Sequence, residues 1–121
     1  MKNIVVINYG GGNSKSVCNA LDYINCNYTF ISDFDLIKNS THIILPGVGS
    51  YLGLMDSLKK NNLLDILNNE VILNKKYYLG ICVGMQILSE FGHEFGIHKG
   101  LGWIKGQTKK LEVENYDLTL P

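Results

Sequence analysis

The stretch "YYLGICVGMQIL", residues 77–88, decides the fold. Its first half is aromatic and aliphatic, the composition of a strand, and its second half has the apolar spacing of a helix. Cys82 stands between them, with Gly80 two positions before and Gly84 two positions after. A strand that turns abruptly into a helix throws the corner residue outward in a strained backbone. It also crowds the neighbours on both flanks, so that only small residues fit. Gly-x-Cys-x-Gly is that corner with sulfur at its tip. Composition alone gives about 0.03 such matches in a chain of this make-up.

Upstream of the corner, "KNIVVIN" (2–8) is a continuous apolar run, as a strand buried on both faces would be. Further strands are expected at 28–32, 41–46 and 76–81. Helices are expected at 14–25, with Ser14 as N-cap, and at 52–60, 62–73 and 83–91. Beyond residue 91 glycines at 92, 96, 100, 102 and 106 interrupt the pattern, and "WIKGQTKKLEV" (103–113) reads as strand and turn. Strands alternating with helices predict an α/β domain over residues 1–121, with an open, mostly parallel sheet of flavodoxin-like type and helices on both faces.

The 121 residues suffice for one domain, which at this size hides roughly two-thirds of its unfolded surface. Eleven basic residues, all lysine, balance eleven acidic ones. With no basic stripe and no arginine fork, no nucleic-acid partner is expected. No apolar run approaches a membrane span, and the start "MKNIVVINYGGGN" is too short in apolar residues for a signal peptide. Cys18, Cys26 and Cys82 form no paired framework and no Cys-x-x-Cys, so reduced thiols, a cytoplasmic location and no metal or cofactor are expected.

Cys82 falls at the carboxyl end of a strand, where open parallel sheets bind ligands. There the thiol projects into the crevice, the following helix start favours thiolate, and the Val83 N–H points where an oxyanion would form. A buried cysteine packed as a small hydrophobe is the competing reading of Cys82, and the preferred one for Cys18 and Cys26. Two glycine loops end neighbouring strands. "LPGVGSY" (45–51) is placed to supply a second oxyanion N–H; by itself it is also an ordinary strand-to-helix turn. "NYGGGNSKS" (8–16) lacks the P-loop and dinucleotide spacings, so an interface loop is preferred there over a phosphate cradle.

Taken together, "NYGGGNSKSV", "LPGVGSY", "GICVGMQIL" and "KGLGWIKG" resemble the glutaminase subunits of imidazole glycerol phosphate synthase, which are class I, triad-type glutamine amidotransferases. The resemblance runs in order along the whole chain. It implies that Cys82 attacks the side-chain amide of glutamine. It implies an oxyanion hole from Val83 together with Val48 or Gly49 after a peptide flip, and substrate contacts from Gly47, Gly49 and Gln86. It implies that Gly10, Gly11, Gly12 and Asn13 face a partner, a (β/α)8-barrel cyclase subunit in a heterodimer. That partner would receive ammonia through a closed path and use it in histidine biosynthesis.

Asn8 and Lys105 depart from the family pattern, which commonly has Asp and Pro there. The larger departure is at the end. The sequence stops at "DLTLP" (117–121), before the segment in which the family carries its catalytic His and Glu, and His42, His93 and His98 do not match that histidine. His93 and His98 are expected on the surface of a loop. The C-terminal portion of the fold is therefore expected to be missing, leaving an apolar sheet edge and a chain that does not turn over glutamine alone. Three other readings stand beside this one. They are a paralogous ammonia supplier for a sugar amidotransferase, a cysteine-elbow enzyme of the deglycase, chaperone or peptidase kind, and a non-catalytic flavodoxin-like module. The second usually places a carboxylate after the first strand, where this chain has "NYGGGN".

Overall fold

The computed structural model describes residues 1–11 and 13–112. Gly12 and residues 113–121, including the end of the expected 103–113 segment, lie outside the described residues. Four strands, β1 (Ile4–Ile7), β2 (Thr29–Ile31), β3 (His42–Gly47) and β4 (Tyr77–Cys82), form a parallel sheet in the order β2-β1-β3-β4. This is the flavodoxin-like arrangement that the alternation predicts. Each of these strands falls where the apolar runs place it.

Side-chain parity assigns the two faces. Val5, Ile7, Ile43 and Leu45 point into the main core, and there they meet the helices α3 (Tyr51–Lys60), α4 (Leu64–Asn68) and α5 (Val83–Gln86). A π-helical turn, Asn69–Leu73, continues α4. Leu54, Leu58, Leu63 and Leu67 fill this side and are buried. The alternate residues face α1 (Ser14–Tyr23), whose Val17, Ala20 and Leu21 share a groove with Ile44, Leu79 and Ile81. Helices thus lie on both faces, but α1 leaves β4 open. Along that edge strand Tyr77, Leu79 and Ile81 are 72%, 54% and 36% exposed. The apolar edge expected from the sequence is present.

Four local expectations are corrected. Asn13, not Ser14, is the N-cap of α1; its side chain accepts from the Ser16 hydroxyl at 2.9 Å, while Ser14 is buried in the first turn. A short helix, α2 (Phe34–Lys38), follows β2, too brief to show a period, and is fixed by the Asp33 carboxylate accepting from the Asp35 and Leu36 N–H groups. The helix expected over 83–91 ends at Gln86, one turn in. Beyond it Leu88 and Ser89 donate to Met85 and Gln86 in tighter turns, and the incoming segment 101–104 ties the chain down, Leu101, Gly102 and Ile104 donating to Ile87, Ser89 and Leu88. Finally, residues expected to form a loop build a second, three-stranded sheet. Its strands are β5 (Phe91–His93), β6 (Ile97–Lys99) and β7 (Gln107–Thr108), in the order β6-β5-β7. His93 and His98 therefore sit on strands, half-buried, and not on an exposed loop. Among the described residues no helix is long and apolar enough to cross a membrane.

Candidate active site

Cys82 closes β4 with φ 55° and ψ −118°, a combination that side-chain-bearing residues avoid. The strain has a structural cause. β3 and β4 stay in register to their last residues, pairing Gly47 with Cys82, while α5 must start at once to bury Val83 and Ile87 beneath the sheet. The corner absorbs the whole change of direction, and Cys82 is left exposed at its tip.

The glycines around it are demanded by space. A methyl group on Gly80 would fall inside the Gly84 carbonyl oxygen and 2.7 Å from the Met85 nitrogen. One on Gly84 would strike the Leu45 carbonyl oxygen. One on Gly47 would lie 2.5 Å from the Gly84 nitrogen and 3.0 Å from the Val83 carbonyl carbon. Three backbones therefore touch without side chains between them, and this brings the Gly47–Gly49 loop directly beside the sulfur. Gly49 is needed for another reason. Nothing lies near its α-carbon, but its φ is +92°, open to glycine at little cost.

The first turn of α5 is held from below. The Tyr78 hydroxyl donates to the Gly84 carbonyl at 2.8 Å, and the Tyr78 ring meets Trp103 edge-on, centroids 5.1 Å apart. Trp103 in turn donates from Nε1 to Asn68 Oδ1 at 3.1 Å. Burial pushes the Tyr78 phenol well above its ordinary pKa, so it remains a donor at any physiological pH. This prop is not legible from the sequence, because a tyrosine in an apolar strand reads simply as strand.

Two cavities flank the corner. Cys82, Gly47, Val48 and Asn13 line a groove of about 570 Å³, whose other walls are the aliphatic residues between α1 and β4. Gln86 lines the other, of about 790 Å³, with Tyr51, His93, Glu94 and Thr108. Of the residues expected to act together, Cys82, Val83, Gly47, Val48 and Gly49 converge at the corner; Gln86 faces the second cavity. Gly10, Gly11 and Asn13 follow β1 at the same end of the sheet, and Gly12 lies outside the described residues. Glu94 was missed. Its carboxylate accepts from the Tyr51 N–H at 3.5 Å, at the start of the helix that follows Gly49. Its signal was available, since it is the sole carboxylate between residues 91 and 111. Of the described histidines, none lines the groove of Cys82; His42 stacks on Tyr77 and His93 bonds Gln107 at 2.5 Å. Cys18 and Cys26 are only half-buried and lie outside the core cluster, so the expectation that they pack as buried small hydrophobes is not met.

Comparison with known proteins shows the family. Residues 5–118 match the family model "Glutamine amidotransferase class-I". The chain belongs to the class I glutamine amidotransferase family. Among relatives of the chain, imidazole glycerol phosphate synthase subunit HisH 2 of Vibrio vulnificus is 42% identical over 120 residues, covering 98% of the chain and 55% of the relative. Subunit HisH of Pelagibacter ubique is 39% identical over 125 residues, covering 98% and 59%. Subunit HisH 2 of Methanococcus maripaludis is 42% identical over 112 residues, covering 93% and 55%. The chain thus spans 55% to 60% of the length of the curated relatives it matches.

Proposed function

We propose that residues 1–121 are the nucleophile-bearing, N-terminal part of a glutaminase domain that supplies ammonia to a synthase. The observation that carries this reading is the strained, exposed Cys82 beside the Gly47–Gly49 loop. The Cys82 thiolate attacks the carboxamide carbon of glutamine. The carbonyl oxygen becomes an oxyanion between the Val83 N–H and an N–H of Val48 or Gly49, and one such donor contributes about 3 kcal/mol in a transition state. The C–N bond then breaks, ammonia leaves with a proton from a general acid, and water hydrolyses the thioester to glutamate and free thiol.

Gly47, Gly49 and Gln86 contact the substrate, and Glu94, in the same cavity as Gln86, offers a carboxylate to its α-ammonium group. No described histidine lines the groove of Cys82, so the 121 residues by themselves are expected to be acylated but not to turn over. The names of the relatives favour an imidazole glycerol phosphate synthase: a cytoplasmic heterodimer with a (β/α)8-barrel cyclase, joined through residues 10–13, with a carbon–nitrogen lyase activity in histidine biosynthesis. A paralogous supplier for sugar amidation is the second reading.

The test is alkylation by a glutamine-mimicking chloroketone followed by peptide mass spectrometry. One label on Cys82, absent from Cys82→Ala, is expected. Equal labelling of Cys18, Cys26 and Cys82 refutes the reading.

A further inference from the structure

Three hydroxyl groups from distant parts of the chain converge near one carbonyl at the end of α5. Tyr51 comes from the start of α3, Ser89 from just beyond α5, and Thr108 from β7. Ser89 Oγ stands 3.0 Å from the Tyr51 hydroxyl and 3.0 Å from Thr108 Oγ1, and it donates to the Gln86 carbonyl at 2.8 Å. Thr108 Oγ1 donates to that same carbonyl at 3.1 Å. A serine has one proton to give. With it on Gln86, the Tyr51 hydroxyl is the donor toward Ser89. Tyr51 is 1% exposed, and burial pushes its phenol above its ordinary pKa, so it keeps its proton.

This relay is more than the fold requires. Without the Tyr51 hydroxyl the Gln86 carbonyl still accepts from the Ser89 N–H at 3.2 Å, and the Ser89 carbonyl from the Gly102 N–H at 3.0 Å. Space is nonetheless kept for the tyrosine. A methyl group on Gly100 would fall inside its hydroxyl oxygen, and one on Gly92 would lie 2.5 Å from its Cγ. The backbone of Tyr51 reaches the same region, its N–H donating to the Glu94 carboxylate at 3.5 Å. Tyr51, Gln86, Glu94 and Thr108 all line the second cavity. One residue thus ties the start of α3 to the residue that ends α5 and to β5, the strand that leads into Glu94.

We propose that Tyr51 is a positioning residue for the amino-acid end of the substrate: through Ser89 its hydroxyl fixes the backbone of Gln86, and its ring and N–H fix the approach of Glu94, so that the two keep one spacing across the cavity. This rests on the glutaminase reading above. The α-ammonium group and the carboxamide of glutamine belong to one short chain. Contacts at the first therefore help only when they are set correctly relative to the sulfur that meets the second. Gln86 stands one turn after Cys82 on α5, whereas Glu94 follows β5 in the second sheet. Tyr51 is tied to both. A hydroxyl acting in this way changes how tightly the amino-acid end is held and leaves the reaction of the sulfur alone.

The experiment follows alkylation of Cys82 in the full 121-residue chain by two chloroketones with the same reactive group. The glutamine-like reagent carries the α-amino-acid end; chloroacetone lacks it. Saturation kinetics with the first separate its binding constant, KI, from its limiting rate. Tyr51→Phe keeps the ring and removes the donor. It is expected to raise KI about fivefold, the effect of one ordinary hydrogen bond, with the limiting rate and the chloroacetone rate unchanged. An unchanged KI overturns the proposal, even where the urea midpoint falls, because the hydroxyl then serves the fold alone. So does an equal slowing with both reagents. Ser89→Ala breaks the relay one step further on and carries the test if Tyr51→Phe folds poorly; it too should raise KI about fivefold. In the double variant the rise should stay near that of either single change. A rise of about 25-fold overturns the relay, since independent effects multiply. If wild type shows no preference for the glutamine-like reagent over chloroacetone at Cys82, the glutaminase reading fails and this inference with it.

Discussion

Replacing Gly80 by alanine tests the physical basis of the site. The added methyl carbon would fall within the Gly84 carbonyl oxygen and 2.5 Å from its carbon. An unstrained carbon–carbon contact lies at about 3.5–4.0 Å, so the first turn of α5 has to retreat by about 1 Å. Nothing nearby yields easily. The obstructing atoms are backbone, β4 is tied to β3 along six residues, the Tyr78 hydroxyl holds the same carbonyl, and Gly84 already abuts Leu45. Overpacking of this kind costs about 1–3 kcal/mol. The displacement also carries the Val83 N–H with it, and a misplacement of about 1 Å at a reacting centre costs on the order of 100-fold in rate. Urea unfolding should therefore show a loss of about 1–3 kcal/mol. Chloroketone alkylation of Cys82 should slow by about 100-fold while iodoacetamide alkylation changes by less than about fivefold. An alanine variant of wild-type stability and wild-type chloroketone rate would refute the argument that three glycines make the corner.

Further outcomes follow from other residues. Cys82→Gly should stabilise the fold by about 1 kcal/mol, since a side chain at φ 55° is relieved, while abolishing labelling; a destabilised glycine variant in urea would show that the corner is unstrained. Tyr78→Phe strands the Gly84 carbonyl and should cost about 1–2 kcal/mol in the same assay, with Trp103 fluorescence reporting the loosened contact. Glu70 is buried, and although burial raises its pKa, bonds from Lys76 at 2.5 Å and Asn74 at 3.2 Å bring it below its ordinary value. Its stabilisation is then complete above the unfolded carboxylate range, near pH 4.5, and is lost as pH falls through the lower folded value. Glu70→Gln should flatten the acid limb of the urea midpoint, and an unchanged limb would show that other groups control it. Leu79→Lys, on the open face of β4, should cost less than about 0.5 kcal/mol yet reduce concentration-dependent association in light scattering.

The sequence by itself determined the parallel sheet and the corner. Long apolar runs at 2–8 and 41–46 have no stable place except strands covered on both sides, the run at 76–81 reads as a strand beside them although one of its faces is left open, and Gly80 and Gly84 around Cys82 admit few conformations. Such signals are local and strong, so residue identity suffices to read them. The family resemblance was legible for the same reason, carried by loops whose glycines answer to close backbone contact. What only the tertiary structure decided depends on who competes for a backbone group. After Gln86 the chain leaves the helix of α5, and residues 101–104, far along the chain, take the carbonyls of Ile87, Leu88 and Ser89. The prop from Tyr78 to Gly84, the placing of Glu94 against Tyr51 and the meeting of the Tyr51 and Thr108 hydroxyls at Ser89 likewise arise from chain segments that meet only after folding. Hydrogen-bonding groups are identical along every backbone. Which partner each one finds is settled by packing, and no pattern of side chains along the sequence encodes it locally.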